Sequence, residues 1–320
     1  MALRTKLTEL LGIRYPVLQA PMGGTAGGRL AAAVSEAGGL GLIGGGLNDG
    51  AWLEREFAAA GKQRVGCGFI TWGLAAHPEL LDRALAHAPA AIMLSFGDAA
   101  SIVTRIKAAG VLAICQVQSL AQARRVLDEG ADVIVVQGNE AGGNGAVRAT
   151  LPLVPAVADA VAALGREVPV VAAGGIADGR GLAAALMLGA QGVLIGTRFR
   201  AAEESLLPAA AKLRIVHASG DDALRTKIFG ITAGGECPQE YTGRVLVNRF
   251  SEKWRGRETA LAADRAELAS YAEALGADDF DTAVIHAGEG IDLICAIEPA
   301  GAIVSRLVAG AEAALARRFS

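Results

Sequence analysis

Residues 169–198 read PVVAAGGIADGRGLAAALMLGAQGVLIGTR. Two short apolar runs, Pro169–Ala172 and Gln191–Ile195, have the make-up of parallel strands buried on both faces, and Gly179–Leu188 supplies the helix that crosses between them. Each run ends in glycine: Gly174-Gly175 after the first and Gly196-Thr197 after the second. Turns of this kind aim backbone N–H groups at one point, a geometry that holds a phosphate dianion without a lysine. In a (β/α)8 barrel, the loops after strands seven and eight carry that site. The competing reading is that these glycines only make tight turns; two strand-end pairs one βα unit apart weigh against it.

The reading requires six earlier units, and working outward the sequence supplies them. Predicted strands at Tyr15–Ala20, Gly39–Ile43, Arg64–Ile70, Ala90–Leu94, Val111–Gln116 and Asp132–Gln137 alternate with six predicted helices. The helices cover Arg29–Ala37, a stretch ending at Ala60, His77–His87, Ala99–Ala109, Leu120–Glu129 and Leu151–Leu164. Asn48-Asp49 reads as the cap of the second, and Pro152 falls near the first turn of the sixth, where proline is tolerated. Eight consecutive units favour a closed (β/α)8 TIM barrel over an open doubly wound sheet. The open sheet would be supported by a GxGxxG fingerprint after strand one, and Pro21-Met22-Gly23-Gly24 does not match it. After about Ser219 the alternation stops. The expected organisation is a barrel over 1–219, a small helical cap over 220–296, and a terminal amphipathic helix over 297–320 that packs back on the barrel.

Composition agrees with a large buried sheet: of 320 residues, 52% are hydrophobic, only 4% are aromatic, and 42 are glycine. With 30 basic and 33 acidic residues spread along the chain there is no basic stripe, which argues against nucleic acid or an anionic membrane as partner. Cys67, Cys115, Cys237 and Cys295 lie far apart without metal-type spacing, so the expectation is reduced thiols in a cytoplasmic protein with no metal site. Met1–Gly12 has no apolar signal segment, and no apolar run is long enough to span a bilayer. The sequence leaves a homodimer open.

The residues at predicted strand ends that could act on a ligand are Met22, Thr71, Trp72, Ser95, Gln116, Gln118, Gln137, Glu140, Asn144 and Arg198. They contain no obvious acid–base pair. The loop QGNEAGGNG at Gln137–Gly145 is dense in glycine, as expected of backbone lying close against something flat or bulky such as a cofactor. Glu140 reads equally as a loop or helix-capping carboxylate and as a group acting on substrate. Met22 and Trp72 are either core side chains or contacts for the face of an aromatic ring. His77, His87, His217 and His286 fall outside the glycine loops and read as structural or solvent-facing. A barrel binding a sugar phosphate for aldol or isomerase chemistry is the non-redox alternative; no lysine stands at a predicted strand end to form a Schiff base.

QAPMGG at Gln19–Gly24, QGNEAGG at Gln137–Gly143, AAGGIADGRG at Ala172–Gly181 and GTRF at Gly196–Phe199 together resemble the nitronate monooxygenase family, formerly 2-nitropropane dioxygenases. The likeness continues through GRVLVNRFSEKWRGRE and the later GEGIDLI. It implies an FMN-binding barrel in which Gly174, Gly175, Gly196 and Thr197 hold the phosphate, Met22 and Gly23 approach the isoalloxazine, and Gln137, Gly142 and Gly143 contact the flavin. The implied activity is oxidation of an alkyl nitronate by O2 to a carbonyl compound and nitrite. In related quinone and enoyl thioester reductases, histidine follows the AGG of this loop; here the position is Asn144. An amide has no titratable proton near neutral pH, so Asn144 cannot abstract a proton from a neutral nitroalkane. A nitronate is already an anion, and Asn144 would serve to orient it. Two alternatives follow from the same substitution: NAD(P)H-driven reduction of a quinone or enoyl thioester, and a flavin-binding protein without turnover of its own.

Overall fold

The computed structural model describes residues 3–46, 49–234, 238 and 240–317. Eight parallel strands close into a barrel: β1 (Val17–Gln19), β2 (Leu40–Gly44), β3 (Gly66–Ile70), β4 (Ala91–Ser95), β5 (Leu112–Val117), β6 (Val133–Gln137), then β8 (Val170–Ala173) and β9 (Gly192–Ile195), with β9 pairing back on β1. Side chains alternate between two apolar layers, as the two-residue period of a strand requires. Val133 and Val135 of β6 point into the barrel beside Leu18, Leu40 and Leu194, whereas Ile134 and Val136 pack outward under the helices. The barrel interior is therefore solid. The amino-terminal helix Lys6–Leu11 closes its floor, because Leu7 and Leu11 are fully buried in the inner cluster. Only the carboxyl ends of the strands remain open for a site.

The predicted helices are present with shifted ends. Asp49 caps Gly50–Ala60 by accepting from the Ala51 and Trp52 amides, while Asn48 lies outside the described residues. The helix expected at His77–His87 is present as Glu79–Ala86, and a further short helix, Thr71–Ala76, precedes it directly after β3, with Pro78 between the two. Cys67 and Cys115 are buried free thiols, with burial pushing the Cys115 pKa up to about 12; Cys295 is exposed, and Cys237 lies outside the described residues. No helix among the described residues is long and apolar enough to cross a membrane.

Two features differ from expectation. The segment after the barrel contains helices but also two antiparallel strands, β10 (Ala223–Thr226) and β11 (Thr242–Leu246). β11 in turn pairs with β7, the short strand Gly143–Gly145 inside the glycine-rich loop, placing Gly243 opposite Asn144. Gly-Asn-Gly has among the poorest strand preferences, so only the distant partner makes it a strand.

The second difference concerns the terminal helix. It spans Ala300–Leu315, shorter than expected at both ends, with Phe319 outside the described residues. It packs between Gly179–Met187 and Gly28–Glu36, the helices of the seventh and first units. It thus fills the place of the eighth barrel helix, and the cap is an insertion between β9 and that helix. Gly179 permits the close seating: a Cβ there would intrude on the backbone of Gly310 and Ala311. Gly179→Val is expected to destabilise the protein by about 1–3 kcal/mol through overpacking. A fall in the urea midpoint at unchanged slope would register it.

Candidate functional site

A cavity of about 580 Å³ opens at the carboxyl ends of the barrel strands. The ten residues to which the family resemblance gives a role line it: Met22, Gly23, Gln137, Gly142, Gly143, Asn144, Gly174, Gly175, Gly196 and Thr197. Ser95 and Gln116 line it too. The remaining candidates have other tasks. The Thr71 hydroxyl donates to the Ser95 carbonyl at 3.0 Å. Trp72 packs against Phe96 and Tyr241 with ring centroids 5.7 and 6.1 Å away, beside the cavity. Arg198 pairs with Glu298 at 2.6 Å and ties the end of β9 to the start of the terminal helix.

Glu140 takes the capping role. The helix Thr150–Ala163 has no side-chain cap from its own N-cap residue, Ala149. The Glu140 carboxylate instead accepts from the Thr150 amide at 2.9 Å and from its hydroxyl at 2.7 Å. A carboxylate at the positive end of a helix is favourably placed and is not directed at a ligand.

One wall of the cavity is a chain of carboxamides. Gln137 Oε1 accepts from Gln116 Nε2 at 3.2 Å and from Gln118 Nε2 at 3.1 Å, and Gln137 Nε2 donates to the Asn144 carbonyl at 3.1 Å. These bonds fix which way the Gln137 amide faces. Among the described residues the Asn144 side chain has no hydrogen-bond partner in the protein, so its donor and acceptor are free for a ligand. No member of this wall titrates near neutral pH.

A second part of the lining is backbone. Gly174 and Gly175 adopt φ of +112° and +69°, a region that other residues rarely enter. Among the described residues, the amides of Gly174, Gly175, Gly196 and Thr197 donate to no protein acceptor. A convergent set of free amides fits the phosphate of a mononucleotide. The Thr197 hydroxyl accepts from the Gly288 amide at 3.0 Å, which docks the cap onto this corner.

That docking segment, 286–290, is what sequence reasoning missed. Gly288 and Gly290 line the cavity, and an added Cβ at Gly142 would lie 2.7 Å from the Ala287 carbonyl carbon. The glycine-rich loop therefore lies against cap backbone as well as against the cavity. The sequence marks His286 as structural or solvent-facing; in the structure it lines the cavity, with a buried Nδ1 that has no partner among the described residues. Burial and then the nearby Arg200 charge lower its pKa to about 4, against a weaker opposing contribution from the Arg244 carbonyl. Arg200 also lines the cavity, is 8% exposed, and escaped notice beside Arg198. No local signal marks His286, because its place depends on the fold of the inserted cap.

His286 gives a pH prediction. Its native pKa is below the unfolded value, so the unfolded chain binds the proton first and stability falls as pH drops from about 6.5 toward about 4. His286→Gln is expected to flatten that part of the profile. Urea midpoints at pH 7 and pH 5, compared between the two proteins, measure it.

These features define a (β/α)8-barrel enzyme with a ligand cavity roofed by an inserted cap. The family model described as nitronate monooxygenase matches residues 4–63 and 71–310. The chain is 36% identical over 269 residues to (3aS,4S,5R,7aS)-5-hydroxy-7a-methyl-1-oxo-octahydro-1H-indene-4-carboxyl-CoA dehydrogenase of Mycobacterium tuberculosis, covering 82% of this chain and 72% of that one. It is 32% identical over 335 residues to a nitronate monooxygenase of Neurospora crassa, covering 91% and 87%. The solved structure of FabK from Thermotoga maritima matches with a TM-score of 0.83 at 31% identity, over 97% of this chain and 96% of that one. The chain belongs to the nitronate monooxygenase family and is an oxidoreductase of the flavin-dependent type.

Proposed function

We propose that this protein is an FMN-dependent oxidoreductase that oxidises alkyl nitronates with O2 to a carbonyl compound and nitrite. The observation that carries the reading is the carboxamide wall: Asn144 and Gln137 face the cavity where a base would otherwise stand. A nitronate arrives as an anion and needs orientation more than proton abstraction. Bound flavin supplies the electron acceptor. The amides of Gly174, Gly175, Gly196 and Thr197 would hold its phosphate, and Met22 and Gly23 would approach its ring; Gly23 leaves open space where a side chain would project. The Asn144 amide donates to the nitro oxygens, held in register by its backbone bond to Gln137.

The 36% identity to a protein named as a carboxyl-CoA dehydrogenase favours, as a second reading, a thioester substrate with NAD(P)H as reductant. Anaerobic titration of the purified yellow protein separates the two. Loss of flavin absorbance on adding nitronate, followed by nitrite release with O2, supports the first. Bleaching by NADH alone, reversed by an enoyl thioester, supports the second. A colourless protein that takes up no FMN at micromolar concentration sinks both.

A further inference from the structure

Among the described residues, one buried cation has neither an anion nor a carbonyl at its charged group; buried Lys212, by contrast, donates to the carbonyls of Glu203 and Ser205 at 3.0 and 2.8 Å. Arg198 pairs with Glu298, Arg244 with Glu289 at 2.7 Å, and Arg225 donates to the carbonyls of Asn139 and Thr242 at 2.7 and 2.8 Å. Arg200 is 8% exposed; its backbone amide donates to the Gly196 carbonyl, but among the described residues its guanidinium makes no hydrogen bond or ion pair, leaving Nε buried and unpartnered. Burial lowers its pKa to about 10, which still leaves it charged at neutral pH. A charge withdrawn from water without a partner is costly and persists where a ligand supplies the partner.

The position identifies that ligand. Arg200 is four residues beyond Gly196 in the turn Thr197–Arg200, so the two share a face, and helical side chains lean back toward the amino end. The same cavity holds the unpartnered amides of Gly174, Gly175, Gly196 and Thr197. Those amides carry partial charges only, and a phosphate dianion placed on them still calls for a full positive charge. The nearby carboxylates are already engaged, Glu140 by Thr150 and Glu289 by Arg244. His286, kept neutral at physiological pH, adds a hydrogen-bonding group rather than a second cation.

We propose that Arg200, with His286 beside it, is the counter-ion of the bound flavin's terminal phosphate and makes the site select FMN over riboflavin. This rests on the flavin reading above. The test is the dissociation constant of the flavin-stripped protein for FMN and for riboflavin, measured by flavin fluorescence in the wild type, Arg200→Met and Arg200→Lys. Arg200→Met is expected to weaken FMN about 30-fold or more, the loss typical of removing one partner of a buried charge pair. Riboflavin affinity should stay within about threefold, which also reports an intact fold, and Arg200→Lys should recover most of the FMN affinity. Equal losses for both ligands would make Arg200 a packing residue and overturn the assignment. Unchanged FMN binding with a raised KM for nitronate would overturn it in favour of a substrate-anion contact. Failure of the wild type to bind either flavin is a different result, which removes the flavin reading and this assignment together.

Discussion

Gly142→Val should cut flavin affinity and kcat/KM roughly 10- to 100-fold, the range expected when overpacking costs about 1–3 kcal/mol. An added Cβ would lie 2.7 Å from the Ala287 carbonyl carbon and 2.8 Å from the Gly288 nitrogen, and neither backbone atom can swing aside as a side chain could. The cap segment would have to lift. That movement breaks the Glu289 amide bond to the Glu140 carbonyl at 2.9 Å and the Gly288 bond to Thr197 at 3.0 Å. Both hold the corner where the free amides converge. Gly143→Ala provides the contrast: nothing lies within 4 Å of its added Cβ, and only its φ of +75° resists substitution. Its loss should be about 1 kcal/mol, set by backbone strain alone. Wild-type FMN binding by Gly142→Val would show that the cap does not close on this loop as described.

Asn144→His should confer turnover of neutral nitroalkanes, raising it by about 100-fold or more, the usual worth of a positioned general base. Nitronate oxidation should change by no more than about threefold, because that substrate is already deprotonated. The substitution disturbs little: the Asn144 side chain has no protein partner among the described residues, and the bond from Gln137 is to its backbone carbonyl. The new activity should rise with pH as the imidazole loses its proton, whereas the nitronate rate follows no such titration. Oxygen uptake and nitrite release, measured with nitroethane and with its pre-formed nitronate, distinguish the outcomes. Identical behaviour of variant and wild type on both substrates would remove the base argument and leave the role of Asn144 unexplained.

The barrel was legible because its information is local. Buried parallel strands are continuous apolar runs such as VIVV in β6, and glycine marks most of their ends, so counting units gave the closed sheet. The floor of the site was legible for the same reason: Gln137 ends β6, Met22 and Gly23 come shortly after β1, Gly174 and Gly175 after β8, and Gly196 and Thr197 after β9, and the fold turns every strand's carboxyl end toward one cavity. Glu140 was half legible. Its capping role needs Thr150, ten residues on, to be brought alongside by the loop.

The sequence by itself determined the eight-fold βα repeat, the rim on which ligands bind, and the carboxamide in place of a histidine at Asn144. Only the tertiary structure decided that the cap is inserted ahead of the eighth helix, that Gly143–Gly145 becomes a strand, and that Arg200 and His286 meet in the cavity. The physical reason is range. Strand runs and turns are set by neighbours in the chain, whereas a Gly-Asn-Gly strand needs a partner about 100 residues away and an arginine's burial without a partner is set by the whole fold, neither of which a period or local pattern encodes.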